Sequence, residues 1–293
     1  MKNEPKRHHY IPQFIMKNFC FDDASNVFYH DKIKQQISAC KTQDIFMSMH
    51  LYRDEINYPD DPTKIERDLS VYEGEVSRII KEKFLYKKEI TLNMDEDAKL
   101  RLFFAVMGFR AERVKESFRN SKNMSIYSAY QENEDYEDLW KRNLSIIVNC
   151  RSIYEVLEHP QIDPPIKVFL YRDTINITGL YFVVAERYNC EEFVLSDTYP
   201  VVISGEIDNE LSLHIYSIFS ISPDRVILMV SDGADLSPRN VTALRPLVFT
   251  KPKMNSDGTY TIRVKRIYSE EVKHLNGYLV KEAQMGFITR SCK

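Results

Sequence analysis

The chain has 293 residues, with 40 Lys and Arg against 43 Asp and Glu, which gives a formal net charge of −3. Hydrophobic residues make up 43% and aromatic residues 12%, a globular composition that excludes a disordered, collagen-like or coiled-coil chain. The eight glycines form no G-x-G-x-x-G motif, and none is followed by Lys-Ser or Lys-Thr. The usual glycine-rich phosphate loops are therefore absent.

The cysteines and the apolar runs of the sequence indicate the cellular compartment of the protein. The five cysteines are odd in number and include no C-x-x-C pair, so we expect free thiols in a reducing cytosol. The opening MKNEPKRHHY lacks the apolar core of a signal peptide, and no uncharged apolar run is long enough to span a bilayer. The sequence therefore predicts a cytoplasmic protein without a membrane partner.

The first 160 residues are predicted to be mainly helical. Pro12 suits the first turn of a short helix that faces Phe14, Ile15 and Phe19 inward. Thr63 with Glu66 has the spacing of a capping box. The predicted elements are helices over 13–20, 63–84, 95–120, 136–148 and 152–157, and a strand over 26–32.

Short runs of β-branched and aromatic residues dominate the rest of the chain. They predict strands over 167–171, 179–186, 193–196, 200–204, 212–220, 225–230 and 259–268, and then a last helix over 269–285. Helices followed by strands and a closing helix indicate an α+β fold with a largely antiparallel sheet. We expect one domain over 1–293, with a helical half (1–160) and a β-rich half (161–293).

Several segments, in order along nearly the whole chain, resemble the domain of unknown function 4238 (DUF4238) family. They are His8–Phe14 with Lys17–Phe19, the strand 27–32, Ile65 and Glu66 with Glu73, the helix carrying Arg110, Phe193–Asp197, and Leu275 and Asn276 with Ala283. The resemblance marks Gln13 and Asn276 as further site candidates. The family usually has Asn-Pro after Ser-Asp, whereas Thr198-Tyr199-Pro200 follows Asp197 here. The resemblance implies a shared fold but supplies no reaction.

His8 and His9 are the first candidates for chemistry. Adjacent side chains on a strand point to opposite faces, so one imidazole is expected inside and one outside. A histidine here suits a general base or a metal ligand, and the string His-His-x-x-Pro is also similar to HNH nucleases, with Asn26 and His30 downstream. The helix predicted after Pro12 disfavours the HNH form. The structural alternative is a polar arm whose histidines bond to the backbone.

Four charged residues are the other candidates. Asp197 ends an apolar strand, where a carboxylate either serves catalysis or metal binding or closes a turn. Glu66 and Glu73 lie seven apart on one helix face, as an acid–base or metal pair, although Glu66 also fits the capping box. Arg110 is either a phosphate clamp or one half of a structural ion pair. Asn276 is either a clamp or a cap.

Together these candidates predict a metal-dependent phosphodiester hydrolase, a nuclease of bacterial defence or toxin biology. In this hypothesis His8 or His9 activates water, Asp197 with Glu66 or Glu73 holds Mg or Mn, and Arg110 steadies the phosphate. Its partner is a nucleic acid or a nucleotide. The alternative hypothesis is a non-enzymatic binding or sensor protein, with a protein partner among its ligands, whose polar motif is structural.

Overall fold

The computed structural model describes residues 6–110, 136–162, 167, 181–207, 211–230 and 251–292. Helices and antiparallel sheets make up these residues, so the predicted α+β class is confirmed. Among the described helices, none has the length and apolar character needed to cross a bilayer. The cysteines are free, as the sequence predicts.

The helices agree closely with the apolar periodicity. They are α1 (Gln13–Met16), α2 (Lys64–Ile79), α3 (Met94–Phe109), α4 (Tyr136–Ile147), α5 (Ile153–Glu158) and α6 (Ser269–Glu282), with 3-10 turns at Lys17–Phe19 and Thr42–Asp44 and a π-helical turn at Ile80–Phe84. The stripe that predicts α2 is buried along its length, from Ile65 at 0% exposure to Ile79 at 7%. The predicted continuation of α3 to residue 120 lies outside the described residues.

The strands are short, with one exception near the middle of the β-rich part. They are β1 (Arg7–His9), β2 (Asn26–Asp31), β3 (Gln36–Lys41), β4 (Met47–Met49), β5 (Glu89–Leu92), β6 (Tyr181–Arg187), β7 (Leu195–Ser196), β8 (Val201–Ile207), β9 (Leu211–Ser222), β10 (Arg225–Val230), β11 (Tyr260–Arg263), β12 (Lys265–Ile267) and β13 (Gly286–Thr289). The strand predicted over 167–171 lies outside the described residues.

The chain divides into two compact units, each built from separate stretches of sequence. The first unit comprises Met1–Ile11, Phe46–Arg78 and Asp95–Thr174, and the second comprises Pro12–Ile45, Ile79–Met94 and Ile175–Lys293. The second unit thus joins segments from both sides of residue 160.

The first unit contains a small ribbon and the long helices. Strands β1 and β4 pair antiparallel, with His8 opposite Ser48. The apolar face of α2 and most of α3 are buried, and Trp140 of α4 is 1% exposed. These helices carry Glu66, Glu73 and Arg110 towards β1.

The second unit contains two larger sheets and helix α6. A five-stranded sheet has the order β12-β6-β10-β9-β8, and a four-stranded sheet has the order β3-β2-β13-β7. Helix α6 packs Val272, Leu275 and Leu279 into the same apolar core as the five-stranded sheet. Strands β5 and β11 form a separate antiparallel ribbon.

The predicted order of a mainly helical part, a sheet and a last helix is not confirmed. Strands β1–β4 precede α2, so sheets lie at the start of the chain and most helices in its middle. The fold also does not close on a helix, because β13 follows α6 and lies between β2 and β7. Strand β13 pairs with β2, near the start of the chain, and with β7, and local apolar spacing does not show such long-range pairing.

Candidate functional site

His8 and His9 lie on β1 and point to opposite sides, as predicted. His8 is 0% exposed, whereas His9 is partly exposed. The backbone N–H of Tyr52 donates to His8 Nδ1 at 2.8 Å, and the two rings stack with centroids 5.5 Å apart. This nitrogen therefore accepts a hydrogen bond from the protein's own backbone and is not free to take a proton from water.

Arg110 lies directly after α3, and its own N–H continues the helical bonding to Val106. Its guanidinium is 2% exposed. Nε donates to the Tyr52 hydroxyl at 2.9 Å, while the terminal nitrogens donate to the Glu73 carboxylate and the His9 carbonyl oxygen. All three nitrogens are thus engaged by the fold.

Glu66 and Glu73 lie on the same face of α2, as their spacing predicts. Glu73 forms the ion pair with Arg110, and its side chain is 20% exposed. Burial raises the pKa of Glu66, the charge of Arg110 lowers it and the charge of Glu73 raises it, and the net result is a pKa of about 7. Glu66 therefore lies in the electrostatic field of this ion pair, and its carboxyl group changes charge near neutral pH.

Tyr52 is at the centre of this group of residues. It is fully buried, and its hydroxyl lies 3.4 Å from the carbonyl oxygens of both His9 and Arg110. Its ring also stacks near Trp140, with centroids 5.9 Å apart. Burial raises the pKa of Tyr52, so the phenol stays neutral. Sequence reasoning does not place Tyr52 in the site, because no local motif surrounds it.

We call His8, Tyr52, Glu66, Glu73 and Arg110 the arginine cluster. It joins β1, the segment after β4, α2 and the end of α3 within the first unit. Chemically it pairs one carboxylate with a guanidinium and offers a second carboxyl group that titrates near neutrality. Because the Arg110 guanidinium is buried, it is not placed to bind a phosphate from solvent.

Asp197 belongs to a separate network in the second unit. It is 8% exposed, and its carboxylate accepts three backbone N–H groups, from Gln284 at 2.9 Å, Met285 at 2.6 Å and Gly286 at 3.0 Å. Both oxygens are thus used to hold the segment that leads into β13. These partners lie 87 to 89 residues further along the chain, so the contacts are not those of a local turn after Asp197.

The remaining candidates also lie in the second unit. Asn276 of α6 accepts from the N–H of Val194 at 3.2 Å and donates to the carbonyl oxygen of Glu192 at 2.8 Å. It is therefore a clamp on the segment before β7 and not a helix cap. Gln13 is the first residue of α1, after Pro12 at the N-cap.

The nuclease-like features are divided between the two units. His8, His9, Glu66, Glu73 and Arg110 come together in the first, whereas Asp197 forms its own contacts in the second. A helix follows Pro12 and His30 lies on β2, where its Nε2 is 2.9 Å from the Thr289 hydroxyl, so the HNH arrangement is not present here. Among the described residues, no group of three or more His, Cys, Asp or Glu side chains is placed to hold a metal ion. Mg or Mn binding stays a prediction.

Fold and site together define an α+β protein in which buried polar side chains tie distant backbone segments together. The chain belongs to the DUF4238 family, described as a protein of unknown function, whose profile matches residues 7–292. The resemblance seen in the sequence is thus confirmed over nearly the whole chain. Comparison with curated proteins and with solved structures found no match.

Proposed function

We propose that this protein acts by binding a partner in the cytoplasm and not by catalysis, with its most distinctive polar residues serving the fold. The observation that carries the proposal is the burial of the Arg110 guanidinium. It is 2% exposed, and its donors go to Tyr52, Glu73 and the backbone of His9. An arginine that stabilises a transferring phosphate must instead reach the substrate.

Asp197 and His8 support the same proposal. The Asp197 carboxylate is saturated by three backbone N–H groups, which leaves little capacity for a metal ion. His8 Nδ1 accepts from Tyr52. Residues that resemble a catalytic set in the sequence therefore stabilise the two units. The free cysteines fit a reducing compartment.

The test is a cleavage assay on wild type and on a His8→Ala/His9→Ala variant. Single- and double-stranded DNA and RNA are incubated with Mg, with Mn and with EDTA. We expect no metal-dependent cleavage by wild type and a lower melting temperature for the variant, because it loses a buried hydrogen bond and ring packing. Metal-dependent cleavage that the folded variant lacks would overturn the proposal.

One observation favours the hydrolase as a second candidate function. Glu66 is a carboxyl group with a pKa near 7, which is the range of a general acid or base. In this form of the hypothesis Glu66 and Glu73 supply the acid–base pair or hold Mg or Mn, and the substrate is a phosphodiester.

Its discriminating test is the pH profile of any cleavage found. If Glu66 takes part, the rate changes with an apparent pKa near 7, and Glu66→Gln removes that change. A rate that keeps the same pH profile in Glu66→Gln would reject this candidate.

A further inference from the structure

A groove in the second unit lies away from every residue that the sequence marks. It runs beside the β5–β11 ribbon, at the start of β6 and along the segment 251–255. Its volume is about 540 Å³, within the range of ligand-binding sites. It is thus large enough to receive part of another molecule.

The side chains around the groove carry a strong positive charge. Lys251, Lys253, Arg263 and Lys265 line it against a single carboxylate, Glu89. This local excess contrasts with the net charge of −3 of the whole chain. Clefts lined by one sign of charge concentrate ligands of the opposite sign.

Two of these cations form ion pairs with neighbouring carboxylates. Arg263 Nε lies 3.6 Å from Glu89, but the two side chains are 88% and 59% exposed, so water screens the pair. Lys265 Nζ pairs with Glu271 at 3.8 Å, and these side chains are 31% and 16% exposed, so this cation is partly compensated. Lys253 is exposed on the segment that borders the groove.

Further cations continue the patch beyond the groove. Lys87 and Lys88 are exposed and directly precede β5. The N–H of Val264 donates to the carbonyl oxygen of Lys88 at 2.9 Å, which fixes this basic segment beside the end of β11. The positive surface therefore has the form of a track longer than one small anion requires.

The groove has a fixed backbone and an apolar floor. Ile262, Phe182 and Val183 line its base and are 2–5% exposed. The Asn255 amide donates to Thr259 at 2.8 Å and to Thr261 at 3.0 Å, which holds the segment 251–255 against β11. The cations are thus carried on ordered backbone around an apolar base.

We propose that this groove binds single-stranded nucleic acid through its phosphates. This deepens the proposed function, on which it rests, by naming the partner class. Cations along a track match a regular row of phosphates. An acidic polypeptide is the alternative occupant, and the competition with poly-glutamate tests it.

The test is fluorescence anisotropy of the full chain with a labelled mixed-sequence oligonucleotide of about 12 nucleotides, DNA and RNA in turn. If the four groove cations each neutralise one phosphate, log affinity falls with log salt at a slope of about −3. A Lys251→Glu/Lys253→Glu variant is expected to lose about tenfold or more in affinity and to show a shallower slope.

A matched variant separates the groove from the overall charge. Lys34→Glu/Lys273→Glu makes the same charge change in the same unit, at side chains that are 67% and 62% exposed. We expect this control to bind nearly as wild type does. Glu89→Gln is expected to bind more tightly, because it removes the one carboxylate in the groove. Circular dichroism verifies that each variant is folded.

The possible outcomes test the groove proposal and the proposed function separately. Absence of binding, equal losses in the two double variants, or displacement of the strand by poly-glutamate at equal charge would overturn the groove proposal. None of these results bears on catalysis. If the strand is bound in the groove and is then cut, the groove proposal holds while the proposal of a non-catalytic protein fails.

Discussion

The carboxyl group of Glu66 is held where its ionised form is disfavoured. Burial raises its pKa from the ordinary 4.5 to about 7. Between these two pH values the folded state binds more protons than the unfolded state, so the free energy of unfolding falls as the pH rises. The full cost is present above pH 7, once the folded state has also lost the proton.

We therefore predict that Glu66→Gln flattens the pH dependence of stability. Above pH 7 the variant is expected to be about 1–3 kcal/mol more stable than wild type, because it avoids burying the charge. Urea unfolding between pH 4 and pH 9 measures this difference. The control is Glu75→Gln on the same helix, where the side chain is 46% exposed and pairs with Lys99. If the free energy of unfolding of Glu66→Gln varied with pH in parallel with that of wild type, the raised pKa of Glu66 would be contradicted.

At the scale of elements, β13 depends on a close approach of backbone. Gly286 faces Asp31 of β2, and a Cβ placed on it would lie 2.4 Å from the carbonyl oxygen of His30 and 2.7 Å from the Tyr29 ring. Its N–H also donates to Asp197. Glycine is required here because of this contact in the sheet.

We predict opposite effects for two glycine substitutions in the second unit. Gly286→Ala is expected to lower the free energy of unfolding by about 1–3 kcal/mol, because backbone atoms must move apart. Gly277→Ala, in α6, meets nothing within 4 Å and is expected to raise it by about 0.5–1 kcal/mol through helix propensity. Thermal unfolding of both variants is the measurement. Equal changes in melting temperature would contradict the packing described for β13.

The elements differ in how far the sequence predicts them. Helices α2 and α6 follow from local apolar periodicity, and their predicted stripes are buried. Strand β13 could not be predicted, because it is four residues long and its partners, β2 and β7, are distant in sequence.

For the candidate site residues, too, the sequence predicts local relations but not contacts between distant segments. Spacing alone places Glu66 and Glu73 on one face of α2, and the pairing of Glu73 with Arg110 is among the structural alternatives. The role of Tyr52 depends on three segments that meet only in the folded chain. The basic groove is hidden for a similar reason, since its cations come from 251–253 and 263–265 and the total charge is slightly negative.

At the scale of the whole molecule, two kinds of polar residue serve different purposes. Enclosed residues such as Arg110, Asp197 and Asn276 hold backbone segments within their own units. Cations line the groove that we propose as the binding surface. Residues needed for folding are therefore distinct from residues proposed for binding. Variants of the first set should lose stability, and variants of the second set should lose affinity for the partner.

The most direct measurement of the central claim is the free energy of unfolding of an Arg110→Met variant. Removing one partner of a buried ion pair leaves Glu73 uncompensated, so we predict a loss of about 3–5 kcal/mol, partly restored in Arg110→Met/Glu73→Gln. Arg67→Met, in an exposed pair with Asp61, is the control and should have little effect. An Arg110→Met variant that is as stable as wild type would contradict the structural role of the arginine cluster.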